Sequence, residues 1–296
     1  MRITDKIRFS TAMEGLSGPR DRLGELQQQI STGRNILRPQ DNPARAARIL
    51  NLQEYIGSIE QYERNIDRGD VLLKATESAL ANAENTVIRA RELAVQMSND
   101  TYSARDRAGA GAELQGQRAL LLDLANARIG DTYLFAGYVT NSSPFDAAGA
   151  YGGDAGVLEV EVGDGILLPV TTRGDQAFGP TNAAGVSSAF EVLDDLILAL
   201  GNNDGDAIRA SLAELDGIHD ALLNARTDVG TKMLRVDSTA DILDRVKLDF
   251  KRQLGDQEDA DFVAIASQFQ LEEMALEAAV RMTAKLSQPS LLDFIR

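Results

Sequence analysis

His219 is the only histidine in a chain of 296 residues that contains no cysteine. Nucleophilic relays need an imidazole beside a serine or thiol, and zinc sites of the HExxH kind need two imidazoles one helical turn apart. A single His meets neither requirement, and with no thiol, disulfides, thiolate nucleophiles and cysteine-held zinc are excluded as well. His219 falls among residues that repeat with a helical heptad, so a surface or seam position is the better reading. The glycines of "GAGAEL" at 109–114 superficially resemble a nucleotide loop. They lie inside a helical pattern and not after a strand, which is where a dinucleotide fingerprint must sit.

"NNDGD" at 202–206 gathers side-chain oxygens around a glycine, yet no Glu stands near the twelfth loop position that an EF-hand requires. It reads as the N-terminal turn of a helix. Glu272 and Glu273 are adjacent carboxylates of the kind found on solvated helix faces, and "NSS" at 141–143 reads as loop. No catalytic residue, cofactor site or metal site is assigned, and the chain is not expected to be an enzyme. The basic residues Arg2, Lys6, Arg8, Arg20 and Arg22 would suit a membrane surface or nucleic acid. Pairing with an acidic segment elsewhere in the chain is more economical.

The composition supports that pairing. Net charge is −15, the wrong sign for general binding to nucleic acid. Residues 1–50 nevertheless hold nine Arg/Lys against five Asp/Glu, whereas residues 254–296 hold three against eight. The two ends are electrostatically complementary. Hydrophobic residues make up 44% but aromatic ones only 5%, with no Trp, a mix suited to long helices. No apolar run reaches the roughly 18 residues that span a bilayer. The start, "MRITDKIRFS", has no apolar core of a cleavable signal, so no such signal and no membrane partner are expected.

The elements follow from hydrophobic spacing. Apolar positions from Ile3 to Ile30 predict an amphipathic helix kinked at Pro19. Gly33 reads as its stop, and Asn42 followed by Pro43 reads as the cap and first residue of the next helix. From Leu52 to Met97 the apolar residues step by three and four, predicting one helix of about 55 residues. Gly57 and Gly69 each cost that helix about 1 kcal/mol relative to Ala, and Gly69 is read as the close approach of a packed neighbour.

A third helix is predicted near 104–128. The period then changes: Leu158, Val160 and Val162 alternate, Gly163, Asp164 and Gly165 follow, and Ile166 to Val170 complete a hairpin. Helices resume at 187–200, at 208–250 as a second long heptad segment, and at 262–286. That last helix carries one stripe of Phe262, Ile265, Phe269, Leu276 and Val280 and a second of Leu271, Met274, Ala278 and Met282. A helix with two apolar stripes needs neighbours on more than one side.

The fold expected is mainly α: an elongated antiparallel helical bundle or coiled coil, built from the N- and C-terminal regions, with a small β-rich insertion. The divisions expected are a terminal helix at 1–32, long-helix regions at 33–130 and 183–254, the insertion at 131–182, and a second terminal helix at 255–296. Two terminal helices lying antiparallel cannot cover three apolar stripes. The ends should therefore order among neighbouring molecules. The surface expected to be buried in that assembly comprises Ile3, Ile7, Phe9, Leu16, Leu23, Leu26 and Ile30 from the start of the chain. From its other end come Phe262, Ile265, Phe269, Leu276, Val280, Leu291, Leu292 and Phe294.

The stretches "QQQISTGRNILRPQDNPARAARIL" and "QYERNIDRGDVLLKATESALANAENTVIRARELAVQMSND" closely resemble the N-terminal conserved region of the flagellin superfamily. "MRIT", "TYLFAG", "YGGDAGVLEVEVGDG" and the ending "SLLDFIR" resemble its hook-associated branch. The resemblance implies a structural, non-enzymatic subunit of the bacterial flagellum, located outside the cell. It implies export, unfolded, through the flagellar type III channel, with a dedicated export chaperone holding the C-terminal helix. It further implies a homo-oligomeric ring forming the junction between the other hook-associated protein and the first flagellin subunits, with the terminal helices innermost. The alternative is a filament flagellin, against which the ending and the hairpin weigh. An enzyme on a helical scaffold and a generic coiled-coil adaptor are the readings from other classes.

Overall fold

A computed structural model describes residues 2–36, 38–179 and 188–286, with the side chains of residues 2–9, 12, 285 and 286 outside that description. Seven helices and four short strands follow one another as α1 (Arg2–Thr32), α2 (Pro43–Met97), α3 (Ala104–Ala125), β1 (Arg128–Ile129), β2 (Thr132–Tyr133), β3 (Glu159–Gly163), β4 (Ile166–Pro169), α4 (Gly174–Ala177), α5 (Ala189–Gly201), α6 (Gly205–Glu258) and α7 (Phe262–Leu286) among the described residues. The chain divides into two compact units, Met1–Ser58 with Val246–Arg296, and Ile59–Arg245. The division falls inside α2 and α6.

The second unit holds the main core. On α2 the buried residues Ile66, Leu73, Leu80, Ala83, Val87, Ala90, Ala94 and Met97 keep the three-and-four step expected of them. They join Ile208, Leu215, Ile218, Leu222, Val229 and Val236 of α6 in one cluster. The two helices run antiparallel, since Arg91 pairs with Asp216 at 2.5 Å and Arg226 pairs with Glu77 and Glu84. His219 belongs to the same seam, with Nε2 3.3 Å from Glu84 Oε1.

The helix predicted over 104–128 ends earlier, at Ala125. Asn126 turns the chain out by bonding across the loop: its Oδ1 accepts from Phe145 N at 2.9 Å and Ser143 Oγ at 2.8 Å, and its Nδ2 donates to Phe145 O at 3.1 Å. At the other end a capping box between Ser103 and Asp106 starts α3. Ser188 and Glu191 start α5 in the same way. "NNDGD" forms the turn expected, with Asp204 Oδ1 accepting from the backbone of Asp206 and Ala207, both at 3.1 Å.

β3 and β4 form the predicted antiparallel hairpin, with Val160 opposite Leu168 and a register shift between Glu161 and Gly163. Gly165, at φ +69, supplies the left-handed residue of its turn. The hairpin lies on α2 where the close approach was expected. A Cβ on Gly69 would stand 2.6 Å from Val170 Cγ1, and Asn65 Nδ2 donates to Glu161 O at 2.9 Å. Beneath the loops, Phe135, Phe145, Tyr151, Phe178 and Phe190 pack ring to ring, the closest pair of centroids 5.2 Å apart.

In the first unit α1 and α7 lie side by side and antiparallel, joined by Arg22 to Glu272. The helical run of α1 continues through Gly18 and Pro19. The missing Pro19 N–H deprives only the carbonyl four residues earlier, on exposed Gly15, which water can serve. Gly33 ends the helix at φ +69. The following backbone then clasps the turn before α7: Asn35 N donates to Glu258 O at 2.8 Å and Ala260 N donates to Gly33 O at 2.9 Å. Asn42 caps α2 through Arg45 N at 3.1 Å, as its place before Pro43 predicted.

Candidate assembly surface

α7 begins on Asp261, whose Oδ1 accepts from Val263 N at 3.0 Å and Ala264 N at 3.1 Å. With 100° of rotation per residue, its two stripes fall on nearly opposite sides of the helix. The stripe at Ile265, Phe269 and Leu276 turns inward, Ile265 buried and the other two half-buried. From α1, Leu26 is buried and Leu16, Leu23 and Ile30 are half-buried. Phe262 and Val280, expected on the inward stripe, are exposed, because they sit at its edge where a single neighbouring helix does not reach. The second stripe is open: Leu271, Met274 and Met282 are exposed, and so is Val263, which sequence spacing had not singled out. Val263 does extend that stripe backwards from Leu271 by about two helical turns, which is the signal that could have found it.

The side chains of Ile3, Ile7 and Phe9, and residues Leu291, Leu292 and Phe294, lie outside the described residues. Of the fifteen residues assigned to the surface, the structure therefore places nine. It brings seven of them to the α1 and α7 seam and leaves two, Phe262 and Val280, in the open.

Charge holds the two helices in register. Arg22 Nε and Nη2 donate to the two oxygens of Glu272 at 2.7 and 3.1 Å, a forked pairing that raises the Arg22 pKa through the hydrogen bond first and the neighbouring negative charge second. Arg34 Nε lies 2.8 Å from Glu258 Oε1, and Arg45 donates to Asp256 O at 3.1 Å. Basic residues near the start of the chain thus meet acidic ones near its end, as the charge asymmetry predicted. An open groove of about 420 Å³ runs past Arg22, Leu26, Gln268, Leu271 and Glu272. It leads onto the uncovered stripe. On the neighbouring helices, Tyr55 stacks on Phe250 with ring centroids 5.5 Å apart.

In the second unit the titratable groups serve packing. Arg226 bridges Glu77 and Glu84 of α2, and the buried Arg107 donates to Met97 O at 3.0 Å and Asn203 Oδ1 at 2.8 Å. Burial first, then the Asp175 carboxylate, pushes the Tyr151 phenol up to about 12. Its hydroxyl lies 3.0 Å from the carbonyls of both Phe135 and Asp154. Among the described residues no group of three or more His, Asp or Glu is placed to hold a metal ion, and no helix is long and apolar enough to cross a membrane. The arrangement presents apolar area bounded by charge, which is the chemistry of a protein interface.

The chain resembles known proteins along most of its length. Residues 3–140 match the bacterial flagellin N-terminal helical region, and residues 212–295 match the bacterial flagellin C-terminal helical region. The flagellar hook-associated protein 3 of Salmonella typhimurium is 28% identical, with 100% of both chains covered. A putative flagellar hook-associated protein from Vibrio parahaemolyticus shares the fold at a TM-score of 0.69 and 22% identity, over 74% of this chain and 100% of that one. The flagellar junction protein FlgL from Legionella pneumophila does so at 0.59 and 19%, over 72% and 100%.

Proposed function

Because the chain belongs to the bacterial flagellin family, both of whose helical regions it carries, we propose that it is a structural subunit joining the flagellar hook to the filament. The observation that carries this reading is the two-sided α7: one apolar stripe packs on α1, and the opposite one is left for other molecules. The higher full-length identity to a hook-associated protein, 28% against 22% for flagellins matched over 97% of this chain, supports the junction over the filament. On this reading the subunit leaves the cell through the flagellar type III channel. It forms a homo-oligomeric ring, with the other hook-associated protein on one side and flagellin on the other. Its terminal helices complete their packing only there, and an export chaperone covers the α7 surface beforehand. The role is structural, with no catalytic step.

Deleting the gene should give hooks without attached filaments. Electron microscopy with a labelled antibody should show one band at the filament base, and decoration along the whole filament would transfer the reading to flagellin. Leu271→Asp changes a side chain that is 61% exposed. It should therefore leave the isolated chain folded and abolish filament attachment. Normal motility in that strain would refute the proposal.

A further inference from the structure

Of the five methionines among the described residues, three are more than half exposed, and all three are on the helices of the first unit: Met13 at 51% on α1, Met274 at 59% and Met282 at 65% on α7. Met97 is 5% exposed, and Met233 packs against the core of the second unit. Met274 and Met282 share the open stripe, with Ala278 midway between them and Leu271 alongside. Two of these three open thioethers, those of Met274 and Met282, therefore lie on the apolar stripe of α7 that assembly is read to bury.

We propose that Met274 and Met282 make assembly sensitive to hydroperoxides: they oxidise in the free chain, and their sulfoxides keep the α7 stripe from being buried. In each step a sulfur lone pair attacks one peroxide oxygen, the O–O bond breaks and an S–O bond forms. Sulfur loses two electrons, and the second oxygen leaves after proton transfer as water from hydrogen peroxide or as an alcohol from an organic hydroperoxide. The product is a polar, chiral side chain in place of an apolar one. Once the stripe is covered the sulfurs are shielded, so the window for damage closes with assembly. This inference rests on the reading of the open stripe as an assembly surface.

The test uses the full chain, hydrogen peroxide, and hooks isolated from cells that lack this protein. Treatment should place sulfoxide on Met274 and Met282 before Met97, as read by peptide mass spectrometry, with the helical circular dichroism unchanged. Binding to the hooks should weaken by about tenfold or more per sulfoxide, the loss expected when one buried Met side chain turns polar. Methionine sulfoxide reductases should restore it. The double variant Met274→Leu with Met282→Leu keeps apolar volume without sulfur. It should bind like the native chain and resist peroxide. If that variant stays as sensitive as the native chain, the proposal is overturned while the surface stands. If Leu271→Asp binds hooks like the native chain, the surface reading itself fails, whatever peroxide does.

Discussion

Gly69→Ala separates what a helix prefers from what its neighbour permits. In an isolated helix the change stabilises by about 1 kcal/mol. Here the new Cβ would stand 2.6 Å from Val170 Cγ1 and 3.4 Å from Val160 Cγ2, where carbon pairs rest at about 3.5–4.0 Å. Val170 has little room to yield. It is 1% exposed, and its backbone N donates to Leu158 O at 2.8 Å. Overpacking of this kind costs about 1–3 kcal/mol, and an overlap near 1 Å against an anchored side chain belongs at the upper end. The net expectation is a loss of about 1–2 kcal/mol. Gly217→Ala is the control, since it lies inside α6 of the same unit with nothing within 4 Å of its added Cβ. It should gain up to about 1 kcal/mol. Thermal unfolding of the two variants should differ by about 5–10 °C for a unit of this size. Adding Val170→Ala should make Gly69→Ala neutral or favourable, a coupling of about 1–2 kcal/mol. If Gly69→Ala raises the melting temperature as much as Gly217→Ala does, the reasoning is refuted.

Arg226→Ala should lower urea stability by about 1–3 kcal/mol, because Glu77 and Glu84 lose their common partner; a change under about 0.5 kcal/mol would show the bridge to be idle. The Tyr151 phenol, pushed up to about 12, binds its proton more tightly folded than unfolded. Its contribution is therefore complete below a pH of about 10 and is lost as pH rises towards about 12. Unfolding midpoints of Tyr151→Phe across that window should decline less steeply than those of the native chain, and an equal slope would count against the assignment. Arg22→Glu should reduce amide protection in α1, and adding Glu272→Arg should recover it. Both effects should shrink in high salt, because the pair is exposed, and unchanged protection in the single variant would discount the ion pair.

Much of the fold was legible because local rules and tertiary need coincide. The span of α7, the cap at Asn42, the hairpin around Gly165 and the α2 seam all rest on periodicity, capping and turn chemistry, which act over a few residues. The end of α3 was not legible, since Asn126 leaves the helix for partners that only the folded loop supplies. Gly69 was read as a contact, but its partner Val170 lies about a hundred residues away, and no local pattern names it. On the candidate surface, sequence spacing sorted α7 into two stripes and the charge asymmetry paired the ends. It could not say which stripe α1 would cover, nor that Phe262 and Val280 would be left outside. Periodicity records which residues share a face of one helix. The direction that face takes depends on the second helix, and only the tertiary structure, through the antiparallel lie of α1 against α7, decides it.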